Sequence, residues 1–283
     1  MLTIAVFPNI DKVQANMVVQ RIVKFFRDKD VNLVMPMDKA KFFGFDEYGI
    51  DDIGERHLDM ALSIGGDGTL LGVSRRLCGR NIPVCGINIG TFGFLADIEL
   101  PEIENKLEKI INGQYHIEER MVVSGYVKSG NDPERFLGNA INDVVVTKDG
   151  VARMLHLGLS INDQRVMDYK ADGLIVSTAT GSTAYSLSAG GPIINPKLKV
   201  LVLTPICPHT FNARPIVIDE KDEVTIHIVA MHQDIIITFD GQESIPLLPG
   251  DDVIVRKATE PAKIVKFDDK NYYQIMRTKL LNA

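Results

Sequence analysis

A glycine turn between an apolar segment and a helical pattern constrains the fold of this chain most. Met60–Ile64 has the composition of a buried strand, and it leads directly into the sequence GGDGT at residues 65–69. Three glycines in four positions leave no Cβ to keep a ligand away, and they permit φ > 0. The helix predicted over Thr69–Leu77 offers N–H groups and a positive dipole end to an anion such as phosphate. The turn therefore predicts an α/β unit with a ligand at the carboxyl end of a strand.

Asp67 distinguishes this turn from the commoner glycine loops. The chain has no G-x-x-x-x-G-K-[ST] sequence, and the spacing of Gly66, Gly68 and Gly72 is one residue too long for the dinucleotide fingerprint. A carboxylate is a poor neighbour for phosphate because both are negative. Its presence is best explained if it acts on a hydroxyl or a metal beside the phosphate. An ordinary β-to-α turn with a capping aspartate is the alternative.

The first third of the chain alternates strand and helix patterns. Strands predicted over Leu2–Phe7, Asn32–Met35 and Pro83–Ile87 are interrupted by helical patterns such as Lys12–Lys29. Such alternation indicates a parallel, doubly wound sheet. Residues 38–55 mix glycine, acids and aromatics that we expect to be exposed, so this stretch is predicted to be a loop.

The pattern changes after an amphipathic helix that is predicted to start at Pro101 and end at Gly113. From residue 121 to about residue 267 the apolar runs are short, β-branched and separated by turn residues, which indicates a mostly-β domain. The tail at Tyr272–Leu281 is predicted to be a short helix. The predicted domains are an α/β domain at residues 1–98, with the tail 270–283 packed back on it, and a mostly-β domain at residues 99–269.

Composition narrows the class of protein. The formal net charge of the 283 residues is -6 with no long basic block, which argues against a nucleic-acid partner. Three cysteines form no C-x-x-C pair, so a reduced, cytoplasmic compartment is expected. No apolar run approaches the length that a membrane-spanning helix needs, so no membrane partner is expected.

A second polar stretch lies within the β-rich part. The apolar strand Leu174–Val176 leads into Thr180–Ser188, which carries five hydroxyl side chains besides Tyr185. Small hydroxyl residues let a flat polar ligand come close, and they supply donors and acceptors. A helix start of small residues that packs on the sheet is the alternative.

Six motifs follow one another along the chain: GGDGT at 65–69, NIGTFGFL at 88–95, Asn142-Asp143, Asp172-Gly173, TGSTAYS at 180–186, and Pro208-His209 before Arg214-Pro215. In this order they resemble the NAD kinase family over roughly residues 1 to 280. The glycine turn alone is shared with diacylglycerol and sphingosine kinases, whereas the whole set is specific. Ala179 departs from the family's usual proline, and we expect it to loosen the loop by a few tenths to about 1 kcal/mol.

The resemblance implies an activity and its partners. It implies transfer of a phosphoryl group to the 2′-hydroxyl of the adenosine ribose of NAD, giving NADP. It also implies an NAD kinase/diacylglycerol kinase-like fold with a site between an α/β and a β domain, and a homodimer or homotetramer with sites near subunit boundaries. The donor is ATP or polyphosphate. The histidines show no metal-ligand spacing, so Mg²⁺ or another divalent cation is expected with ATP rather than held by the protein alone.

Asp67 is the expected general base, because a carboxylate within hydrogen-bond reach can orient a ribose hydroxyl and accept its proton. Asn142 can donate and accept along the adenine edge, and Asp143 can accept from its exocyclic amine, although such a pair also marks turns. Phe94 is a possible backing for adenine, with a core role as the alternative. The expected phosphate-binding residues are Gly65, Gly66, Gly68 and Thr69. The expected NAD-binding residues are Asp67, Gly68, Asn142, Asp143, Arg153, Lys170, Asp172, Thr183, Ala184, Tyr185, Ser186, Leu187, Ser188 and Gln242.

Two other functions are compatible with parts of the sequence. A lipid kinase would share the glycine turn, but the hydroxyl-rich segment and the lack of an amphipathic membrane helix argue against it. A catalytically silent dinucleotide sensor would share the binding motifs, but the retained Asp67 argues against it. The sequence leaves open whether ATP or polyphosphate is the donor, whether NADH is accepted, and whether NADP(H) gives feedback.

Overall fold

A computed structural model describes residues 1–90, 93–150, 153–209, 212–229, 234–268 and 271–281. The chain divides into two compact units, Met1–Glu119 with Ala262–Ala283, and Arg120–Pro261. In chain order the elements are β1 (Leu2–Pro8), α1 (Ala15–Phe26), β2 (Val31–Pro36), α2 (Met37–Phe43), β3 (Gly49–Ile50), β4 (Met60–Gly65), α3 (Asp67–Arg76), β5 (Val84–Asn88), β6 (Ile98–Glu99), α4 (Ile103–Ile111), β7 (His116–Arg120), β8 (Val123–Ser129), β9 (Arg135–Ala140), β10 (Asp143–Lys148), β11 (Leu155–Ile161), β12 (Gln164–Ala171), β13 (Gly173–Thr178), α5 (Tyr185–Ser188), β14 (Val200–Ile206), β15 (Ile216–Asp219), β16 (Val224–Ile228), β17 (Ile235–Phe239), β18 (Glu243–Leu247), β19 (Asp251–Lys257), β20 (Ala262–Lys266) and α6 (Tyr272–Leu281).

The first unit is built on a sheet with the strand order β3-β2-β1-β4-β5-β20-β7, and β6 also pairs with β5. The pairs β1–β2, β1–β4, β2–β3, β4–β5, β5–β6 and β5–β20 are parallel. β4 is buried along its whole length, as expected for a parallel strand covered on both faces. The strand order reverses between β1 and β4, so the carboxyl ends of these two strands form the topological switch point at which such sheets bind ligands. The predicted doubly wound α/β fold is confirmed.

The prediction of a loop at residues 38–55 is wrong. This stretch contains most of α2, a 3₁₀ turn at Asp46–Tyr48 and β3, which pairs with β2. Its aromatic side chains explain the difference, because Phe43, Phe45 and Tyr48 pack against the core of the first unit rather than facing solvent. The local sequence contains so many turn-forming residues that it does not predict these short elements. Tertiary packing stabilises them instead.

The contacts divide the chain at different points from the predicted domain boundaries at residues 98 and 269. The helix α4 belongs to the first unit because Ile103, Leu107 and Ile110 are part of its core. The strand β20 also belongs there, since it pairs in parallel with β5. The predicted tail helix is present as α6, and Lys279 Nζ lies 5.3 Å from the ring centroid of Phe94 in the same unit.

The second unit consists of two six-stranded sheets around one core. One sheet has the order β15-β14-β13-β10-β17-β18 and the other β12-β11-β16-β19-β8-β9, with antiparallel pairs throughout the described registers. Alternate residues of each strand, such as Val144 and Val146 of β10, enter this core. The predicted mostly-β character of this part of the chain is confirmed.

The opposite face of the first of these sheets, called here the α5 face, is covered by the segment that contains α5. Val145, Ile175 and Ile206 form a small buried cluster on it, with Ala189 packed against them. Asp143 and Ser177 are opposite each other in the β10–β13 register and share the parity of Val145 and Ile175, so they lie on the same face. No helix in the described ranges is long and apolar enough to cross a membrane.

Candidate functional site

The glycine turn lies at the switch point of the first unit, where β4 ends at Gly65 and α3 begins at Asp67. Asn9 follows the carboxyl end of β1, and its side-chain amide donates to Thr69 Oγ1 at 3.3 Å. Gly66 occupies the N-cap position with extended backbone, and its carbonyl accepts from the N–H groups of Thr69 and Leu70. No side chain caps α3. Asp67 is therefore not a capping residue of its own helix, and its carboxylate is directed elsewhere.

Both carboxylate oxygens of Asp67 hold the backbone of the loop that follows β5. Oδ2 accepts from the N–H of Phe94 at 2.6 Å, and Oδ1 accepts from the N–H groups of Leu95 and Ala96 at 3.1 and 3.0 Å. The chain passes so close to the carboxylate that a Cβ at position 93 would overlap it, which explains Gly93. Each carboxylate oxygen can accept about two hydrogen bonds. These three donors therefore leave Oδ2 with room for one more.

The same loop is held from its other side by a buried ion pair. Lys266 Nζ donates to the carbonyl of Leu95 at 2.9 Å and lies 3.4 Å from Asp97 Oδ1. Asp97 Oδ2 accepts from the N–H of Phe267 at 2.9 Å. Both side chains are almost completely buried. The Leu95–Ala96 peptide group thus connects Asp67, which accepts from its N–H, to Lys266, which donates to its carbonyl.

In the second unit, strand pairing brings two separate sequence motifs together. β10 starts at Asp143 opposite Ser177 near the end of β13. The N–H of Thr178 donates to the carbonyl of Asn142 at 2.8 Å, and Thr178 Oγ1 donates to the carbonyl of Ile141 at 2.6 Å. Gly181 approaches Asn142 so closely that a Cβ there would overlap the Asn142 carbonyl. The Asn142-Asp143 pair and the hydroxyl-rich segment therefore share one end of the sheet.

A carboxylate from the β17–β18 turn holds the start of β10. Asp240 Oδ1 accepts from the N–H groups of Ile141, Asn142 and Asp143 at 3.1, 2.7 and 3.3 Å. Asp143 is only 4% exposed. Its burial, with a smaller contribution from the negative charge of Asp240, raises the pKa of the Asp143 carboxyl from 3.8 to about 7. This carboxyl can therefore change its charge near neutral pH.

Tyr185 stands on α5 and is 45% exposed. Partial burial raises the pKa of its hydroxyl, and the negative charges of Cys207, Asp172 and Asp143 raise it further, in that order. Those three groups therefore lie within electrostatic range of the Tyr185 hydroxyl. Asp172 also pairs with Lys148 at 2.8 Å. Tyr185 thus offers an aromatic ring within electrostatic range of the carboxylates of Asp172 and Asp143, a setting that suits a polar ligand with donor groups.

Comparison with known proteins identifies the family. The ATP-NAD kinase N-terminal domain matches residues 4–115, and the ATP-NAD kinase C-terminal domain matches residues 141–267. The NAD kinase of Heliobacterium modesticaldum is 40% identical over 282 residues, which cover 99% of each chain. That of Moorella thermoacetica is also 40% identical, over 99% of this chain and 89% of the relative. The chain belongs to the NAD kinase family.

The members of this family are kinases that phosphorylate NAD to NADP, so this chain is an enzyme of that class. Solved structures support the NAD kinase fold. An NAD kinase from Archaeoglobus fulgidus in complex with ATP superposes with a TM-score of 0.76 at 25% identity, covering 100% of both chains. Yeast NADH kinase complexed with NADH has a TM-score of 0.86 at 22% identity, over 100% of this chain and 88% of the other, and this likeness concerns the fold alone.

Most of the residues expected from the NAD kinase resemblance occupy two groups. In the first unit, Asp67 and the loop with Phe94 are in contact. In the second unit, Asn142 and Asp143 adjoin the hydroxyl-rich segment. Thr91 and Phe92 of the second motif lie outside the described residues. The other expected residues that are exposed or partly exposed are Gly68, Thr69, Arg153, Lys170, Asp172, Thr183, Ala184, Leu187, Ser188 and Gln242.

Ser186 is an exception among the expected NAD-binding residues. It is fully buried, and its hydroxyl bonds to Thr204 Oγ1 at 2.9 Å. A side chain that is closed off in this way cannot reach a ligand, so we assign Ser186 to packing between α5 and β14. The alternative that this segment is a helix start packed on the sheet therefore holds for Ser186, whereas Tyr185 beside it is open.

Three residues with a place in this arrangement were missing from the expected set. Asn9 follows β1 directly, so the rule that ligands lie at strand carboxyl ends could have identified it. Asp240 stands before Gly241 in a pair typical of hairpin turns, and the chain distance of nearly a hundred residues to Asn142 hides its contact. Lys266 lies in an apolar strand pattern, and nothing in the local sequence indicates its partner Asp97.

A Ser-His-Asp chain of hydrogen bonds lies on the other sheet of the second unit. Ser160 Oγ is 2.8 Å from His227 Nε2, and His227 Nδ1 is 2.6 Å from Asp252 Oδ1. Ser160 is only 6% exposed, and its strand pairs with β12 on one side and β16 on the other. A nucleophile needs access and a pair of donors for the oxyanion. We therefore infer that the hydrogen bonds among Ser160, His227 and Asp252 stabilise the pairing of neighbouring strands.

The replacement Asp143→Asn should change how stability depends on pH. Between pH 3.8 and about 7 the folded protein keeps the Asp143 proton and the unfolded chain does not, so wild-type stability falls as pH rises through this window. Asparagine has no proton to lose. We expect Asp143→Asn to be more stable than wild type at pH 8 by about 2–4 kcal/mol, and by far less at pH 4.5, in urea unfolding without ligand.

Asp163→Asn is the matched control, because Asp163 is an exposed aspartate in the β11–β12 turn whose carboxylate meets water in both states. The assignment of a buried, neutral carboxyl would be contradicted if Asp143→Asn raised the free energy of unfolding equally at pH 4.5 and pH 8.

Proposed function

We propose that Asp67 orients the 2′-hydroxyl of the adenosine ribose of NAD and accepts its proton during transfer. The observation that carries this proposal is the anchoring of both carboxylate oxygens by three backbone donors, with one acceptor position left on Oδ2. A carboxylate held in this way cannot rotate away from its target, so a bound hydroxyl meets a fixed acceptor. The hydroxyl oxygen attacks the terminal phosphorus, its proton passes to Oδ2, and the shortened donor leaves.

The glycine turn is proposed to bind the phosphates. The helix α3 has 10 residues, and its N-terminal end carries a partial positive charge. The proposed phosphate-binding residues lie just before this end or in its first turn: Gly65, Gly66, Gly68 and Thr69. The N-cap residue is a glycine, so no N-cap side chain competes with an anion for the N–H groups of this end. In phosphoryl transfer, positioning and neutralisation of charge supply most of the acceleration.

The second unit is proposed to recognise the adenosine part of NAD. Asn142 can donate and accept along the base edge, and ionised Asp143 can accept from the exocyclic amine. The ring of Tyr185 offers a face for stacking, and Asp172 can accept from ribose hydroxyls. Arg153, Lys170 and Gln242 are proposed as further contacts to the dinucleotide, and Phe94 as a possible backing for adenine. The proximity of Asp143 and Asp172 to Tyr185 supports this grouping.

ATP with Mg²⁺ is the proposed donor, and polyphosphate is the second candidate. In the described residues no group of three or more His, Cys, Asp and Glu side chains is placed to hold a metal ion. We propose that the divalent cation comes with the nucleotide, where it would neutralise the phosphate oxygens. We further propose a homodimer or homotetramer with sites near subunit boundaries, in the cytoplasm, without nucleic acid or membrane as a partner.

A donor panel tests the proposed function. Purified protein is incubated with NAD and either ATP-Mg²⁺ or polyphosphate-Mg²⁺, and NADP is measured enzymatically. We expect NADP with ATP-Mg²⁺, and none when EDTA removes the cation. The same panel with NADH in place of NAD establishes whether the reduced acceptor is used.

NAD binding without NADP formation from any donor would support a dinucleotide sensor and contradict the proposal. A phosphorylated lipid product, with no NADP, would support a lipid kinase that shares the glycine turn.

A further inference from the structure

Asp240 makes more hydrogen bonds to the start of β10 than a turn residue requires. It occupies the first position of the β17–β18 turn with a φ of 50°, and Gly241 follows with a φ of 63°. Its Oδ1 accepts from the consecutive N–H groups of Ile141, Asn142 and Asp143, and Oδ2 lies 3.2 Å from the first of them. Its own N–H donates to the carbonyl of Asp143 at 3.0 Å. One aspartate therefore fixes three successive peptide groups of the Asn142-Asp143 segment.

This arrangement fixes the backbone from which the two side chains project. Asn142 is additionally held through its carbonyl, which accepts from the N–H of Thr178. With the peptide groups on both sides fixed, the Asn142 and Asp143 side chains project from a rigid backbone and lose little entropy when they bind a ligand. An uncharged turn residue would close the hairpin equally well, so the hairpin alone does not account for a carboxylate here.

Asp240 also brings a negative charge to within hydrogen-bond range of the Asp143 peptide. Around Asp143 the described titratable groups are Asp240 from the β17–β18 turn and Tyr185 from α5, and Tyr185 in turn has Asp172 and Cys207 near it. Only Asp240 among these carries a charge that acts on the Asp143 carboxyl in addition to its burial. The charge of Asp240 therefore disfavours ionisation of the neighbour that it holds in place.

We propose that Asp240 is a positioning residue for NAD recognition, because it fixes the Asn142-Asp143 peptide groups and places its negative charge beside Asp143. This inference rests on the proposed function, in which Asn142 and Asp143 bind the adenine of NAD. Asp240 acts through these two residues, and no contact of its own with substrate is needed. It is therefore expected to affect KM for NAD and to leave kcat and KM for ATP nearly unchanged.

The variant Asp240→Asn separates the charge from the geometry. Asparagine has the same size, tolerates positive φ, and its side-chain oxygen can still accept from the three N–H groups. The negative charge is removed, together with the acceptor Oδ2 that lies 3.2 Å from the Ile141 nitrogen. The pKa of Asp143 should then fall, because one of the two causes that raise it is gone.

The measurement is KM for NAD at pH 6 and pH 8, with saturating ATP-Mg²⁺. A carboxyl with a pKa of about 7 is mostly protonated at pH 6 and mostly ionised at pH 8, so wild-type KM should be about tenfold higher at pH 6. In Asp240→Asn we expect this ratio to drop to about twofold to threefold, with kcat within about twofold of wild type. Asp219→Asn is the matched control, since Asp219 also holds a turn N–H, that of Lys221, but is remote in sequence from Asn142.

The outcomes separate this inference from the function on which it rests. If the variant Asn142→Ala has the same KM for NAD as wild type, the proposed adenine site itself is contradicted. If Asn142→Ala raises KM but Asp240→Asn keeps the wild-type pH ratio, Asp240 is only a hairpin residue and the inference is overturned. A loss of kcat in Asp240→Asn, or an equal change in Asp219→Asn, would also overturn it.

Discussion

Replacing Asp67 with asparagine is expected to lower kcat for NADP formation by about 10²–10⁴-fold, while NAD still binds. The carboxamide cannot accept the proton of the ribose hydroxyl. Its oxygen can still take the N–H groups of Leu95 and Ala96, whereas its NH₂ group would face the N–H of Phe94, so one of three loop contacts is lost. Steady-state kinetics with NAD and ATP-Mg²⁺ give kcat, and calorimetric titration with NAD gives the binding constant.

Asp59→Asn is the control for Asp67→Asn. Asp59 is also an aspartate of the first unit that accepts from a backbone N–H, that of Thr3 at 2.7 Å. We expect its kcat to stay within about twofold of wild type, because its carboxylate lies at the other end of β1, away from the glycine turn. Turnover by Asp67→Asn within tenfold of wild type would remove the case for a general base.

Replacing Lys266 with methionine is expected to destabilise the protein by about 3–5 kcal/mol. Asp97 is 1% exposed, so without Lys266 its buried carboxylate would lose the ammonium group that lies 3.4 Å from Oδ1. Methionine retains most of the side-chain length, so the loss reports on the charge rather than on a cavity. Urea unfolding at pH 7, followed by circular dichroism, measures the difference.

The ion pair of Lys29 with Glu108 provides the control, because it lies in the same unit at 2.7 Å but is partly exposed. Lys29→Met should cost no more than about 1 kcal/mol, since water replaces the lost partner. Equal losses in the two variants would show that burial does not decide the strength of the Lys266–Asp97 pair. The folded fraction of Lys266→Met should also show a lower kcat, since Lys266 holds the Leu95–Ala96 peptide group, whose N–H contacts Asp67.

The fold could be predicted from the sequence wherever apolar residues repeat with the spacing of a strand or a helix over a long segment. The apolar strand before Gly65 and the short β-branched runs after residue 121 gave the two fold classes correctly. The stretch around α2 could not be predicted, because Phe43, Phe45 and Tyr48 belong to a core whose other members are distant in the chain. The boundary of the first unit was missed for the same reason, since β20 joins β5 across about 180 residues.

The candidate site was predictable as a set of motifs but not as an arrangement. The NAD kinase resemblance named Asp67, Asn142 and Asp143, yet it did not indicate that Asp67 holds the 94–96 backbone or that Asp240 holds Asn142. Ser186 shows the converse, because its hydroxyl matches the motif and the fold turns it inward. A motif specifies a residue type at a position, whereas the direction of the side chain depends on packing around it.

The class of structure, the family and the residue types that bear the chemistry were all predictable from the amino-acid sequence alone. These follow from short-range rules, since glycine permits a tight turn and alternating apolar residues produce a strand with one buried face. Three features depend instead on how the chain packs: the hydrogen bonds that Asp67 accepts, the burial of Asp143 beside Asp240, and the contact of Lys266 with the loop that Asp67 holds. Hydrogen bonds and desolvation act over a few ångströms. They therefore depend on which distant segments the fold brings together. A local sequence pattern does not indicate these long-range contacts.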